Sequence, residues 1–149
     1  MKLRILRLHE HAIQPTYATS GAAAFDLYAL EVSGGGDFMT AICRTGWAFE
    51  IPEGYAMLIF SRSGHGFKND VRLANCVGVI DSDYRGEVMV KLTKDKPWDA
   101  GETPHLFAHA CDRVAQAMVV PVPFVEFVIA QQLSITERGE NGFGSTGAA

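Results

Sequence analysis

Asp112-Arg113-Val114-Ala115-Gln116-Ala117-Met118-Val119-Val120-Pro121-Val122 is the stretch that decides how this chain folds. From Val114 to Val122 it is rich in β-forming side chains, with Arg113 ahead of the run and Gln116 inside it. Gln116 stands among apolar neighbours, so its amide needs a partner, which could be backbone or ligand. Similar short runs recur at Leu3 to Leu8, Thr45 to Ile51, Tyr55 to Phe60, Glu87 to Leu92 and Phe124 to Ile129. The dominant period is two, and Gly and Pro punctuate the runs. Such a pattern predicts an all-β sandwich or barrel. The longest helix candidate, Phe67 to Ala74, is short and lacks a clear cap, so at most one short helix is expected. Gly34-Gly35-Gly36 reads as a hairpin loop.

The 149 residues suit one domain, and 48% apolar composition is enough for a core without staples. A formal charge of −4, with scattered basic residues, argues against a surface for nucleic acid. Cys43, Cys76 and Cys111 make an odd count without a C-x-x-C spacing, which fits a reduced, cytoplasmic protein with no disulfide. The start, Met1 to Leu8, alternates charged and aliphatic groups instead of presenting a signal peptide, and no run suggests a membrane span. From about Leu133 the chain becomes polar and glycine-rich. The expected division is therefore a folded body over 1–130 and a C-terminal arm over 131–149.

That arm ends in Arg138-Gly139-Glu140-Asn141-Gly142-Phe143-Gly144-Ser145-Thr146-Gly147-Ala148. It has too few large apolar groups to fold alone, so it is either disordered or ordered by something anionic and flat. Glycines let N–H groups turn toward a phosphate, Ser145 and Thr146 add hydroxyls, Arg138 adds a charged fork, and Phe143 can stack on a ring. The formal G-x-G-x-x-G match at Gly142 to Gly147 has no helix after it and is set aside as a dinucleotide fingerprint.

Three further segments carry polar chemistry. Val79-Ile80-Asp81-Ser82-Asp83-Tyr84-Arg85-Gly86-Glu87-Val88 joins two strand-like runs. A calcium loop fails there, because Arg85 and Leu92 occupy positions that need oxygen ligands. What remains is either a solvated hairpin turn or a carboxylate, Asp81, placed at a strand end to activate a water. Phe60-Ser61-Arg62-Ser63-Gly64-His65 ends a strand in a turn that is either an ordinary surface loop or an anion site. His105, His109 and Cys111 match no zinc spacing and read as loop residues.

Taken in order, these segments resemble the motifs of the trimeric deoxyuridine triphosphatases (dUTPases). The resemblance runs through Gly21-Ala22-Ala23-Ala24-Phe25-Asp26-Leu27, Arg62-Ser63-Gly64, Asn75 to Gly86, Arg113-Val114-Ala115-Gln116 and the arm, which is nearly the whole chain. It implies a distorted jelly-roll, β-clip-like fold assembled as a homotrimer with shared active sites. The implied reaction is Mg²⁺-dependent hydrolysis of dUTP to dUMP and pyrophosphate.

By the same resemblance, Asp81 is the general base and Tyr84 lies against the deoxyribose, where a 2′-hydroxyl would clash. Asn75, with the backbone of Gly78, Val79 and Ile80 and the returning strand near Met89, holds uracil. Arg62, Ser63, Gly64 and Gln116 meet the phosphates, and Asp26 acts indirectly, through metal-bound water or the trimer interior. Arg138, Gly144, Ser145 and Thr146 close over the phosphates while Phe143 stacks on the base. The chain departs from the family pattern at Ala24, Ser61, His65-Gly66 and Ala110-Cys111-Asp112. The related dCTP deaminases, a nucleotide-gated interaction module and a sugar-binding jelly roll are the competing readings.

Overall fold

The computed structural model describes residues 1–34, 39–99 and 105–142. In chain order its strands are β1 (Arg4–Arg7), β2 (Phe25–Tyr28), β3 (Glu31–Gly34), β4 (Thr40–Arg44), β5 (Trp47–Glu50) and β6 (Tyr55–Phe60), followed by helix α1 (Ser63–Asn69). Then come β7 (Val71–Leu73), β8 (Val77–Ile80), β9 (Met89–Lys94) and β10 (Arg113–Pro121). The strands form two four-stranded antiparallel sheets, β2-β10-β6-β8 and β3-β4-β9-β7, and a two-stranded β1-β5 pair. Among the described residues the architecture is jelly-roll-like and all-β apart from one short helix.

Burial follows the period of two read from the sequence. In β4, Ala41 and Cys43 point into the core while Ile42 and Arg44 face out, and β9 alternates in the same way through Val90 and Leu92. Between the sheets lie Leu27, Phe49, Ile51, Met57, Leu73 and Val114, each at most 2% exposed. Burying a side chain of this size contributes roughly 1.5–3 kcal/mol. Burial also acts on Cys43, whose thiol pKa is pushed up to about 12, mainly by loss of solvent and further by the negative charge of Asp112. The folded protein therefore holds this proton while an unfolded chain releases it near the ordinary thiol value of 9.0. The resulting stabilisation is complete below that value and is lost as pH rises toward the folded one. Cys43 is expected to resist alkylation by iodoacetamide at pH 8.5 until denaturant is added, which mass spectrometry of the modified peptide would check.

Strand β10 occupies the position that its sequence predicts, hydrogen-bonded to β2 on one side and β6 on the other. A bulge between Arg113 and Ala115 breaks its register against β2. Beyond the bulge, Gln116 stands opposite Asp26 of β2 and Phe60 of β6.

Two predicted elements differ from the structure. The helix lies over Ser63–Asn69, not Phe67 to Ala74, and it ends where Asp70 adopts φ 52°, ψ 38° and donates its N–H to the carbonyl of His65. Val71 and Leu73 then leave the helical path because their apolar side chains, spaced by two, are buried in β7 against β9. Phe124 to Ile129 forms no strand, and Phe124, Phe127 and Ile129 are 98%, 92% and 101% exposed. The composition suits a strand, but no sheet edge among the described residues pairs with it. The last strand ends at Pro121. Gly34 closes β3, whereas Gly35 and Gly36 of the predicted loop lie outside the described residues.

Candidate active site

The registers just described gather three separated segments at one corner. Asp26 of β2 is 7% exposed and binds two guanidinium groups. Its Oδ1 accepts from Arg62 Nε at 2.9 Å and its Oδ2 from Arg113 Nη1 at 3.2 Å. Arg62 Nη1 donates to the Arg113 carbonyl at 3.2 Å, and His65 Nε2 lies 3.0 Å from the same oxygen. Gln116, whose amide needed a partner, donates from Nε2 to the Ser61 carbonyl at 2.9 Å. One buried carboxylate thus holds two arginines whose remaining donors line a cavity of about 360 Å³ with Gly64, His65 and Lys68. Two guanidinium groups on one carboxylate leave net positive charge for an anion. Ser63 and Gly64 open α1 beside them, both exposed. A Cβ at Gly64 would meet nothing within 4 Å, so the backbone there is open to a ligand.

A second cleft, of about 470 Å³, opens between β8 and β9. These strands do not pair with each other: β8 joins β6, while β9 crosses to the other sheet between β4 and β7. The segment from Asp81 to Val88 is therefore a crossing between sheets, not the simple hairpin turn considered from sequence. Divergence of the strands makes a slot lined by Ile59, Asn75, Gly78, Val79, Ile80 and Met89. Gly78 faces Ile59 so closely that an added Cβ would sit 3.1 Å from Ile59 Cβ. Asn75 is exposed and precedes Cys76, whose φ of 63° turns the backbone sharply. Asp81 leaves the end of β8 exposed to solvent. Neither the Asp81 carboxylate nor the Asn75 carboxamide has a hydrogen-bond partner among the described residues, so both are available to a ligand.

Beyond Asp81 the backbone is braced by its own side chains. Arg85 Nη1 donates to the carbonyls of Ser82 and Tyr84 at 2.6 and 2.9 Å. The Tyr84 hydroxyl donates to the Glu87 carbonyl at 3.0 Å, crossing Gly86, where no side chain larger than hydrogen fits beneath it. Of the arm, the structure places Arg138 in a local turn, its Nε donating to the Asn141 carbonyl at 2.9 Å. No hydrogen bond or ion pair brings Arg138 to either cleft among the described residues. Phe143, Gly144, Ser145 and Thr146 lie outside those residues.

Arg113 is the residue that reading the segments for ligand contacts passed over. A charged side chain at the head of a largely apolar strand, after a glycine-free turn, is the available signal. Among the described residues no group of three or more His, Cys, Asp or Glu could hold a metal, so His105, His109 and Cys111 form no such cage. A further cavity of about 630 Å³, around Lys94, Trp98 and His105, contains none of the predicted site residues. No helix among the described residues is long and apolar enough to cross a membrane.

Comparison with known proteins places the chain in a family. The dUTPase family model matches residues 10–147. The chain is 42% identical over 149 residues to the deoxyuridine 5′-triphosphate nucleotidohydrolase of Helicobacter hepaticus, covering 100% of this chain and 90% of that one. It is 43% identical over 150 residues to the protein of the same name from Hydrogenobaculum sp., with 99% of each covered. Among solved structures, a dUTPase of Staphylococcus bacteriophage 80alpha with dUpNHpp superposes with a TM-score of 0.83 at 27% identity, covering 98% of each chain. A match over nearly the full length leads to one conclusion: the chain belongs to the dUTPase family and is a dUTP diphosphatase.

Proposed function

We propose that this enzyme hydrolyses dUTP to dUMP and pyrophosphate by attack of a water on the α-phosphorus, with Asp81 as general base. The observation that carries the reading is the contrast between two carboxylates. Asp81 is exposed and its carboxylate has no hydrogen-bond partner among the described residues, whereas Asp26 is buried under two arginines. Only the first is available to take a proton from water. In-line attack on a triphosphate needs positive charge and fixed donors more than covalent help. Arg62, Ser63, Gly64 and Gln116 meet the phosphates in this reading, and Asp26 orients Arg62 and Arg113. Asn75, Gly78, Val79, Ile80 and Met89 enclose uracil, and a slot this narrow excludes thymine's methyl. Tyr84 packs on the deoxyribose. Its product would supply dUMP for thymidylate synthesis while keeping the dUTP pool low.

Magnesium would be held mainly by the phosphates of the nucleotide, with Asp26 acting on it indirectly. Mg²⁺ keeps several waters and takes phosphate oxygens as ligands, so it requires no protein cage. The donor set fits that mode: both Asp26 oxygens are engaged by guanidinium groups, which leaves this carboxylate an indirect role through ordered water. When bound, the ion neutralises charge on the phosphates.

A homotrimer completes the site. The arginine corner and the β8/β9 cleft share no lining residue within the chain. Phe124, Val125, Phe127, Val128 and Ile129 also present a continuous exposed apolar strip just before the arm. A strip of this kind suits packing on another subunit. The arm over 131–149 would then reach a neighbour's site, with Arg138, Gly144, Ser145 and Thr146 on the phosphates and Phe143 on uracil, excluding water as a lid.

Pyrophosphate release from dUTP, dTTP, dCTP and UTP, each with Mg²⁺, tests the reading. A strong preference for dUTP is expected. Comparable rates on all four nucleotides, or ammonia release from dCTP, would overturn it.

A further inference from the structure

The crossing from β8 to β9 is held by residues that the motifs do not include. Glu87 is the centre of this arrangement. Its Oε2 accepts from Arg44 Nε at 3.1 Å and Nη2 at 3.0 Å, and its Oε1 accepts from the Gly46 N–H at 2.8 Å. Arg44 also reaches Glu31 Oε2 at 3.3 Å, which fixes the guanidinium from its far side. The next residue, Val88, is tied twice: its carbonyl accepts from the buried Thr45 hydroxyl at 2.6 Å and its N–H donates to the Trp47 carbonyl at 2.9 Å. Gly46 can serve as donor only because it lacks a side chain. Its φ is +73°, and a Cβ there would sit 2.6 Å from Ala12 Cβ. The turn between β4 and β5 is therefore shaped to grip Glu87.

The Glu87 carbonyl is also the acceptor of the Tyr84 hydroxyl. Side chain and main chain of one residue thus connect the β4-β5 turn to the ring that faces the sugar. The Glu87 side chain is 17% exposed and that of Arg44 is 44% exposed, so the pair is partly shielded from solvent. A forked contact holds both position and orientation, which a single flexible charge would not.

We propose that Arg44 and Glu87 are positioning residues for sugar specificity, holding Tyr84 where it excludes a ribose 2′-hydroxyl. Neither touches the nucleotide. This inference rests on the reading above that Tyr84 packs on the deoxyribose. A loosened tether would let the Tyr84 ring retreat and admit the extra hydroxyl, raising turnover of UTP relative to dUTP. A merely structural clamp would lower both rates in parallel.

The experiment compares kcat/KM for dUTP and UTP in the wild type, Arg44→Gln and Glu87→Gln, with Arg44→Lys as the conservative variant. Glu87→Gln keeps an amide oxygen for the Gly46 N–H and remains a test if Arg44→Gln does not fold. The dUTP-to-UTP ratio is expected to fall about tenfold in Arg44→Gln and Glu87→Gln, and less in Arg44→Lys, which keeps charge without the fork. Unchanged ratios in both glutamine variants, or equal losses on both substrates, would overturn the proposal while leaving the Tyr84 reading intact. A wild-type enzyme that does not discriminate dUTP from UTP would overturn both.

Discussion

Asp81→Asn is expected to lower kcat on dUTP by about 10²- to 10⁴-fold, the usual scale for losing a positioned general base. Its KM should change little, because the amide keeps the size of the carboxylate and the binding groups lie elsewhere. Stability should also change little, by less than about 0.5 kcal/mol, since Asp81 is exposed and makes no side-chain hydrogen bond among the described residues. That combination separates a chemical role from a structural one. Pyrophosphate release gives kcat, and urea unfolding gives the stability. A variant that keeps wild-type turnover would remove Asp81 from its role.

Asp26→Ala is expected to behave in the opposite way, losing stability as well as activity. Removing this carboxylate leaves Arg62, whose side chain is 24% exposed, and Arg113, at 46%, facing each other without their shared counter-ion. Stranding one member of a fully buried pair costs about 3–5 kcal/mol. Partial exposure of both arginines reduces this to roughly 2–4 kcal/mol. Urea unfolding would measure it, and KM for dUTP should rise because the arginines lose their orientation. The companion variant Arg113→Ala keeps one ion pair on Asp26 and should cost less. Equal stability of Asp26→Ala and wild type would show that the ion pairs do not hold this corner.

How much of this was legible in the sequence depends on the distance over which each signal acts. Tyr55 to Phe60 and Val114 to Val122 carry enough local β character to mark their strands to within a residue. The short strands β2, β3 and β4 contain Asp26, Gly34 and Arg44, and these break the pattern because their partners lie in other segments. Phe67 to Ala74 was misplaced as a helix because an αL residue at Asp70, which no simple rule marks, redirects the chain. Phe124 to Ile129 has a strand's composition but no partner edge among the described residues, and composition alone cannot reveal whether an edge is available. At the proposed site, Asp81 and Arg62 stand out in the sequence as a carboxylate at a strand end and a guanidinium in a Ser-Gly turn, and Asn75 is added by family resemblance. Arg44, Glu87 and Arg113 do not stand out, because their roles depend on contacts 43 and 87 residues apart in sequence.

The bulge at the head of β10 binds catalysis to folding in a way that affects how this protein can change. Val114, Ala115 and Ala117 are wholly buried, and the register that buries them also sets Gln116 opposite Asp26 and turns Arg113 toward the same carboxylate. Because faces alternate residue by residue, a slip of one position would expose the core alanines and remove both polar groups from the site together. Selection for packing in this strand therefore also preserves the placement of Arg113 and Gln116 beside Asp26. An insertion or deletion here cannot be repaired by adjusting the site alone, so the two properties are inherited as a single trait.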